Sequence, residues 1–233
     1  NVTQIILRNG EAVGVKIGDK EIRAKKILFT APIYFLLDLI DERELPSDYV
    51  DRLKEARMKA TSLFLIIGGA TRPLREKPVG TWMLIPRSEV KNIDSYYLVY
   101  EVGEYLKQAP EGRYLVSFAI IPKRTDIVRK NWLVENMIKD MSKVFPNFDF
   151  EKDFEWRTTE YFPIVDGLER TIDWYYERRF QNTSPIKNLY VAGDSVHELS
   201  SGVDGCASSA IFAVEAITGE KILNLEEFYK VKK

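Results

Sequence analysis

The first thirty residues alternate between apolar and polar positions, and turn-forming pairs divide them. Asn9-Gly10 is a two-residue hairpin signal, and Gly18-Asp19 marks a second turn. The end of the last segment, Ile27–Thr30, is apolar enough to enter a buried sheet. The pattern predicts three strands, at Thr3–Arg8, Ala12–Ile17 and Glu21–Thr30.

Strand patterns outnumber helix patterns in the middle of the chain. Ser47 is the predicted N-cap of a helix that runs to about Met58, and apolar residues recur with a helical period between Asp126 and Phe145. Strands are predicted near 61–67, 81–85, 96–101, 114–121 and 155–162. The sequence therefore predicts an α+β fold with a largely antiparallel sheet.

Near the C-terminus, a short apolar strand ends in an acidic residue. Leu189–Ala192 is bounded by turn formers, as is typical of a buried parallel strand. Asp194 follows at the end of a strand, where open α/β sheets bind their ligands. Its carboxylate can accept hydrogen bonds from hydroxyl groups, and Gly193 lets the chain pass close to a ligand.

A small-residue helix is predicted after this loop. It would run from Cys206 to Thr218, with Asp204 as its N-cap, Gly205 opening it and Gly219 as its stop. Its N-terminus would stabilise an anion or an electron-rich carbonyl. Capping Asp residues before small-residue helices are common, so these residues alone also fit an ordinary strand–loop–helix without a ligand.

The pair Gly193-Asp194 and the segment Gly202-Val203-Asp204-Gly205 resemble the C-terminal flavin motif of FAD-dependent amine oxidases and phytoene-dehydrogenase-like oxidoreductases. The resemblance implies that Asp194 binds hydroxyl groups of FAD and that amides from Val203 to Cys206 face the flavin pyrimidine edge. The predicted cofactor-binding residues are Gly193, Asp194, Gly202, Val203, Asp204, Gly205 and Cys206.

The same resemblance implies a division into domains. Residues 1–32 and 186–222 would be two pieces of a partial, Rossmann-like FAD-binding domain, residues 33–185 a substrate-binding domain, and residues 223–233 a tail. The family seats the FAD pyrophosphate on a Gly-x-Gly-x-x-Gly turn, which this sequence does not contain.

We therefore expect the C-terminal half of a flavoprotein that oxidises a C–H or C–N bond with FAD. The chain alone would bind no FAD and be inactive, and no catalytic residue can be assigned. Its expected partners are the missing nucleotide-binding half and an apolar or amine small molecule, and its open sheet edges predict self-association. The alternatives are a stand-alone protein that has lost its cofactor and a non-catalytic binding or interaction module.

Composition narrows the remaining classes of function. A net charge of −1 offers no attractive field for nucleic acid, and a single histidine, His197, makes a histidine metal site improbable, so no metal is predicted. His197 would line the flavin loop or lie in solvent. The single cysteine, Cys206, fits a reducing compartment, so a cytoplasmic location is predicted, with a membrane-peripheral one as the alternative.

Overall fold

The computed structural model describes residues 1–76, 82–103, 107–123, 125–169, 171–199, 202–222 and 224. Among these residues are largely antiparallel sheets, one two-stranded parallel sheet and a few helices, so the predicted α+β class is confirmed. The chain divides into two compact units, residues 1–61 with 166–233 and residues 62–165.

The first unit opens with a three-stranded antiparallel sheet, β1 (Gln4–Arg8), β2 (Glu11–Ile17) and β3 (Lys20–Arg23). Asn9 and Gly10 have φ of 52° and 77°, values typical of the tight hairpin turn that the sequence predicted. The predicted third strand is wrong in one respect, because it is two strands. Residues 24–26, which include Lys25 and Lys26, interrupt it, and β4 (Ile27–Phe29) leaves the hairpin sheet.

A two-stranded parallel sheet joins β4 to β10 (Leu189–Val191), with Leu28 opposite Tyr190. The helix α3 (Gly202–Thr218) contacts β10 and buries one narrow stripe, spaced four residues apart: Gly205, Ser209 and Ala213. The unit also contains α1 (Ser47–Met58), 3-10 turns at Ile33–Asp38 and Glu42–Glu44, and a π turn at Asp173–Glu177.

The second unit is built on a five-stranded sheet. Its strands are β5 (Thr61–Ala70), β6 (Trp82–Ile85), β7 (Tyr97–Gly103), β8 (Tyr114–Ile120) and β9 (Phe154–Asp166), in the order β6-β7-β8-β5-β9. A 3-10 turn at Ile127–Arg129 leads into α2 (Lys130–Val144), whose apolar side packs on the sheet. The resulting core includes Phe64, Ile66, Val99, Phe118, Leu133, Met137 and Met141.

Two predicted helix starts need correction. Pro46 is the N-cap of α1, so Ser47 is its first helical residue. The helix α3 begins at Gly202, earlier than the predicted Cys206, and Asp204 therefore lies within its first turn and is not the N-cap. The predicted stop is confirmed, because Gly219 has φ of +79° and its N–H donates to the Glu215 carbonyl at 2.8 Å.

The compact units differ in extent from the predicted domains. Residues 33–61 and 166–185 belong to the first unit together with residues 1–32 and 186–222. The assignment of residues 1–32 and 186–222 to FAD binding and of 33–185 to the substrate stays a prediction. Within the predicted tail 223–233, only residue 224 is among the described residues.

Candidate functional site

The structure places Asp194 just beyond β10 and holds its side chain with a backbone amide. The Gly167 N–H donates to Asp194 Oδ2 at 2.8 Å. A Cβ atom on Gly167 would lie 2.5 Å from Asp194 Oδ1, so a side chain at position 167 would displace the carboxylate. The carboxylate oxygens can accept further hydrogen bonds, so Asp194 keeps acceptor capacity for a hydroxyl group.

A buried amide side chain joins the end of β10 to α3. Asn182 Nδ2 lies 3.2 Å from the Val191 carbonyl oxygen, 3.1 Å from the Ser209 carbonyl oxygen and 3.0 Å from Ser209 Oγ. Ser209 Oγ also accepts from the Gly193 N–H at 3.1 Å. Gly193 has φ of +130°, a conformation that favours glycine. The strand end and the helix are therefore held together immediately before Asp194.

The loop after Asp194 is held by a buried arginine. Arg179 Nε donates to the Val196 carbonyl at 2.7 Å, and Arg179 Nη2 donates to the Asp194 carbonyl and to Glu198 Oε1. The side chains of Arg179 and Glu198 are only 4% and 0% exposed. Ser195 Oγ accepts from the Ile33 N–H at 2.9 Å, which ties the loop to the 3-10 turn after β4.

The predicted residues of α3 form its first turns. Gly202 has φ of +62°, Val203 and Asp204 are exposed, and Gly205 is buried. The first amides of a helix have no acceptor within the helix, so this end offers N–H donors to a ligand. Cys206 is the fifth helical residue, so its amide donates within the helix, and it would contribute through its exposed side chain.

A pocket of about 420 Å³ lies beside the loop. Arg179, His197 and Glu198 line it together with Tyr175 and Tyr176. The His197 ring lies 4.8 Å from the Phe212 ring, and burial, reinforced by the nearby Arg179 charge, lowers the pKa of His197 below its usual value of 6.5. His197 is therefore a half-buried side chain of the loop after Asp194, and its burial favours the neutral form.

Sequence reasoning missed the residues that support Asp194. Gly167, Arg179 and Asn182 each bond to positions far along the chain, and nothing in their local patterns indicates those contacts. Ser209 was visible only as one of several small residues in the predicted helix.

The donor set fits a flavin. It combines a carboxylate at a strand end with amides at a helix N-terminus. The space beside Gly202 is open, because a Cβ atom placed there would meet no other atom within 4 Å. Among the described residues, no three His, Cys, Asp or Glu side chains are grouped to hold a metal ion. None of the described helices is long and apolar enough to cross a membrane.

Comparison with known proteins places the chain among flavin oxidoreductases. Residues 1–218 match the family of flavin containing amine oxidoreductases, and the chain belongs to this family. Family membership implies FAD as the cofactor of the whole protein. No curated protein matches the chain.

Solved structures are similar to the chain in fold. An oxidoreductase from Methanosarcina mazei has a TM-score of 0.70 at 18% identity, over 94% of this chain and 48% of that one. Putrescine oxidase bound to putrescine has a TM-score of 0.60 at 12% identity, over 93% and 48%. A protein from Pyrococcus furiosus has a TM-score of 0.57 at 13% identity, over 96% and 47%. The chain thus spans about half the length of these proteins.

Proposed function

We propose that the chain is the flavin-contacting C-terminal half of an FAD-dependent oxidoreductase whose whole protein oxidises a C–H or C–N bond. The observation that carries the proposal is the placement of Asp194. Its carboxylate lies at the end of a parallel strand, hydrogen-bonded to Gly167, and its loop is tied to α3. Strand ends of this kind are where α/β sheets bind ligands.

Each predicted residue has a role consistent with this geometry. Asp194 would accept hydrogen bonds from ribityl hydroxyls of FAD. Gly193, Gly202 and Gly205 would let the main chain come close to the cofactor, while amides near Val203 and Asp204 would stabilise negative charge on the reduced ring. Cys206 would present a small side chain beside the ring. FAD, when bound, supplies the acceptance of hydride or its equivalent.

The FAD pyrophosphate would be seated by residues outside this chain. The solved neighbours are about twice as long, and the sequence contains no Gly-x-Gly-x-x-Gly turn. Parallel sheets normally have both faces covered, whereas β4 and β10 form a pair of only two strands in which Leu28 is exposed. We therefore propose a nucleotide-binding N-terminal half as the partner, with the chain inactive on its own.

The substrate and location are proposed from the sequence. An apolar or amine small molecule remains the proposed substrate class, and a cytoplasmic location, with a membrane-peripheral one as the alternative, remains the proposed setting.

Replacing Asp194 tests the proposal in the whole protein that contains this chain. Asp194→Asn keeps the shape but removes the charge that strengthens a hydrogen bond from a hydroxyl. We expect FAD affinity to fall about tenfold or more, measured by flavin fluorescence titration. Asp19→Asn, at an exposed hairpin turn of the same unit, is the matched control.

Two results would contradict the proposal. Unchanged flavin affinity in Asp194→Asn would remove Asp194 from the site. Tight, stoichiometric FAD binding by the present chain alone would show that no N-terminal half is needed. An in-frame strand–Gly-x-Gly-x-x-Gly–helix upstream of Asn1 would support the enzyme, and a start codon near Asn1 would favour a non-catalytic module.

A further inference from the structure

Arg179 hydrogen-bonds to the main chain on both sides of Ser195. Its guanidinium donates to the carbonyls of Asp194 and Val196 and to the Glu198 carboxylate. The backbone supports the same contact, because the His197 N–H donates to the Phe180 carbonyl at 2.8 Å and Phe180 forms a parallel bridge with Val196.

Stability does not explain why these positions hold a buried ion pair. Removing an arginine and a glutamate from water is costly, and apolar pairs of similar volume often replace buried ion pairs without loss of stability. An apolar pair could fill the space of Arg179 and Glu198. It could not donate hydrogen bonds to two backbone carbonyls of the loop.

The contacts of Arg179 complement the contact of Gly167. The Gly167 N–H holds the Asp194 carboxylate, and Arg179 holds the Asp194 carbonyl, so this residue is fixed at both its side chain and its main chain. Hydrogen bonds to the side chain and to the main chain of the same residue restrict the directions in which its carboxylate can accept further hydrogen bonds before a ligand arrives.

We propose that Arg179 is a positioning residue of the flavin site, which together with Glu198 holds the loop 194–198 so that the Asp194 carboxylate is oriented towards FAD. This inference rests on the proposed function. The role of the buried pair would then be to orient the cofactor-binding carboxylate.

The experiment compares three variants in the whole protein that contains this chain. Arg179→Lys keeps the charge but loses the planar fork that reaches several acceptors. The double variant Arg179→Met with Glu198→Met removes the donors and both charges while keeping side-chain volume. Arg178→Lys is the matched control, because Arg178 is the neighbouring residue and its ion pairs, with Glu55 and Asp173, are partly exposed and lie away from the loop 194–198.

Three measurements are made on each protein. They are the dissociation constant for FAD, the urea midpoint of unfolding, and the hydrogen exchange of amides 195–199 in the FAD-free form. We expect the double variant to keep the urea midpoint, to exchange these amides about tenfold faster and to bind FAD about tenfold more weakly. Arg179→Lys should change the exchange and the FAD affinity in the same directions, whereas Arg178→Lys should change neither of these two.

The outcomes separate this inference from the proposed function. If the double variant folds and binds FAD as the wild type does, Arg179 is not a positioning residue, although the proposed function stands. Arg179 is likewise not a positioning residue if Arg179→Lys lowers FAD affinity and the urea midpoint in proportion while the exchange of amides 195–199 stays unchanged. If the wild-type whole protein binds no FAD, both proposals fall.

Discussion

At the residue scale, His197 makes the stability of the first unit depend on pH. It is the only histidine of the sequence, and burial followed by the Arg179 charge lowers its pKa below the value of 6.5 that it has when unfolded. The unfolded chain therefore binds a proton at a higher pH than the folded chain does. The contribution of neutral His197 to the free energy of unfolding is therefore fully present above pH 6.5. It is lost as the pH falls through the pKa of the folded state.

We expect the free energy of unfolding, measured by urea denaturation, to decrease as the pH is lowered from 7 towards 5.5. His197→Gln has no proton to gain, so the decrease should become smaller in this variant. An identical pH profile in the two proteins would show that His197 does not titrate differently on folding.

Residues of the site could be predicted from the sequence only where a local pattern marks them. Gly193 and Asp194 follow an apolar strand, so the end of a strand was visible. Arg179 follows an aromatic-rich stretch and Asn182 lies in a turn-rich segment, and their hydrogen-bond partners are reached only after folding. Local patterns carry no information about such partners.

At the element scale, α2 carries a buried carboxylate that organises the loop before β7. Asp140 is 0% exposed and accepts hydrogen bonds from the backbone amides of Lys91, Asn92 and Ile93, from Asn92 Nδ2 and from the Tyr97 hydroxyl. Burial by itself would raise the pKa of Asp140, but these hydrogen bonds lower it below its usual value. The hydrogen bonds from the loop thus stabilise the charged form of Asp140.

Removing this carboxylate should destabilise the second unit. Asp140→Ala leaves several buried donors without an acceptor, so we expect a loss of about 3 kcal/mol or more in the free energy of unfolding. Lys139→Ala, at the exposed neighbouring position of the same helix, should change it by about 0.5 kcal/mol or less. Urea unfolding followed by circular dichroism measures both, and equal effects would contradict the importance of Asp140.

Helices and strands were predicted well where periodicity was strong and poorly at their ends. The apolar period of α2 and the apolar run Leu63–Ile67 of β5 predicted these elements directly. The start of α3 was misplaced because Asp204 has the chemistry of an N-cap, while Gly202 begins the helix in the structure. Capping residues are also favoured within a first turn, so composition alone does not distinguish the two positions.

At the scale of the whole molecule, α3 exposes the apolar side chains of Val203 and Val214. Only Gly205, Ser209 and Ala213 are buried, whereas Val203 is 85% exposed. The adjoining parallel pair β4–β10 also exposes Leu28. Exposed apolar surface next to open strand edges favours association.

We therefore expect the isolated chain to self-associate, as measured by sedimentation velocity over a range of concentrations. Val203→Glu should reduce association, and a negative charge in the first turn of a helix does not disfavour folding. Val128→Glu is the control, because Val128 is 86% exposed but lies in the second unit. Equal effects of the two variants would show that α3 is not the associating surface.

The α+β class was predictable because it follows from local patterns, but the extent of the compact units was not. Residues 33–61 follow the N-terminal strands, the described residues of 166–185 precede β10, and both segments belong to the first unit. Their place depends on which distant elements they pack against, such as the pairing of Arg178 with Glu55. Sequence periodicity identifies an element but not its partner.

The parallel pairing of β4 with β10 has a consequence for synthesis on the ribosome. Ile33 and Ser195, which hydrogen-bond beside this pair, are 162 residues apart in the chain. At about 5–20 residues per second, translation needs roughly 10–30 s to produce the second partner after the first. Throughout that interval β4 is without the neighbour it has in the finished protein, so the nascent chain presents an apolar strand to chaperones before the loop 194–198 exists.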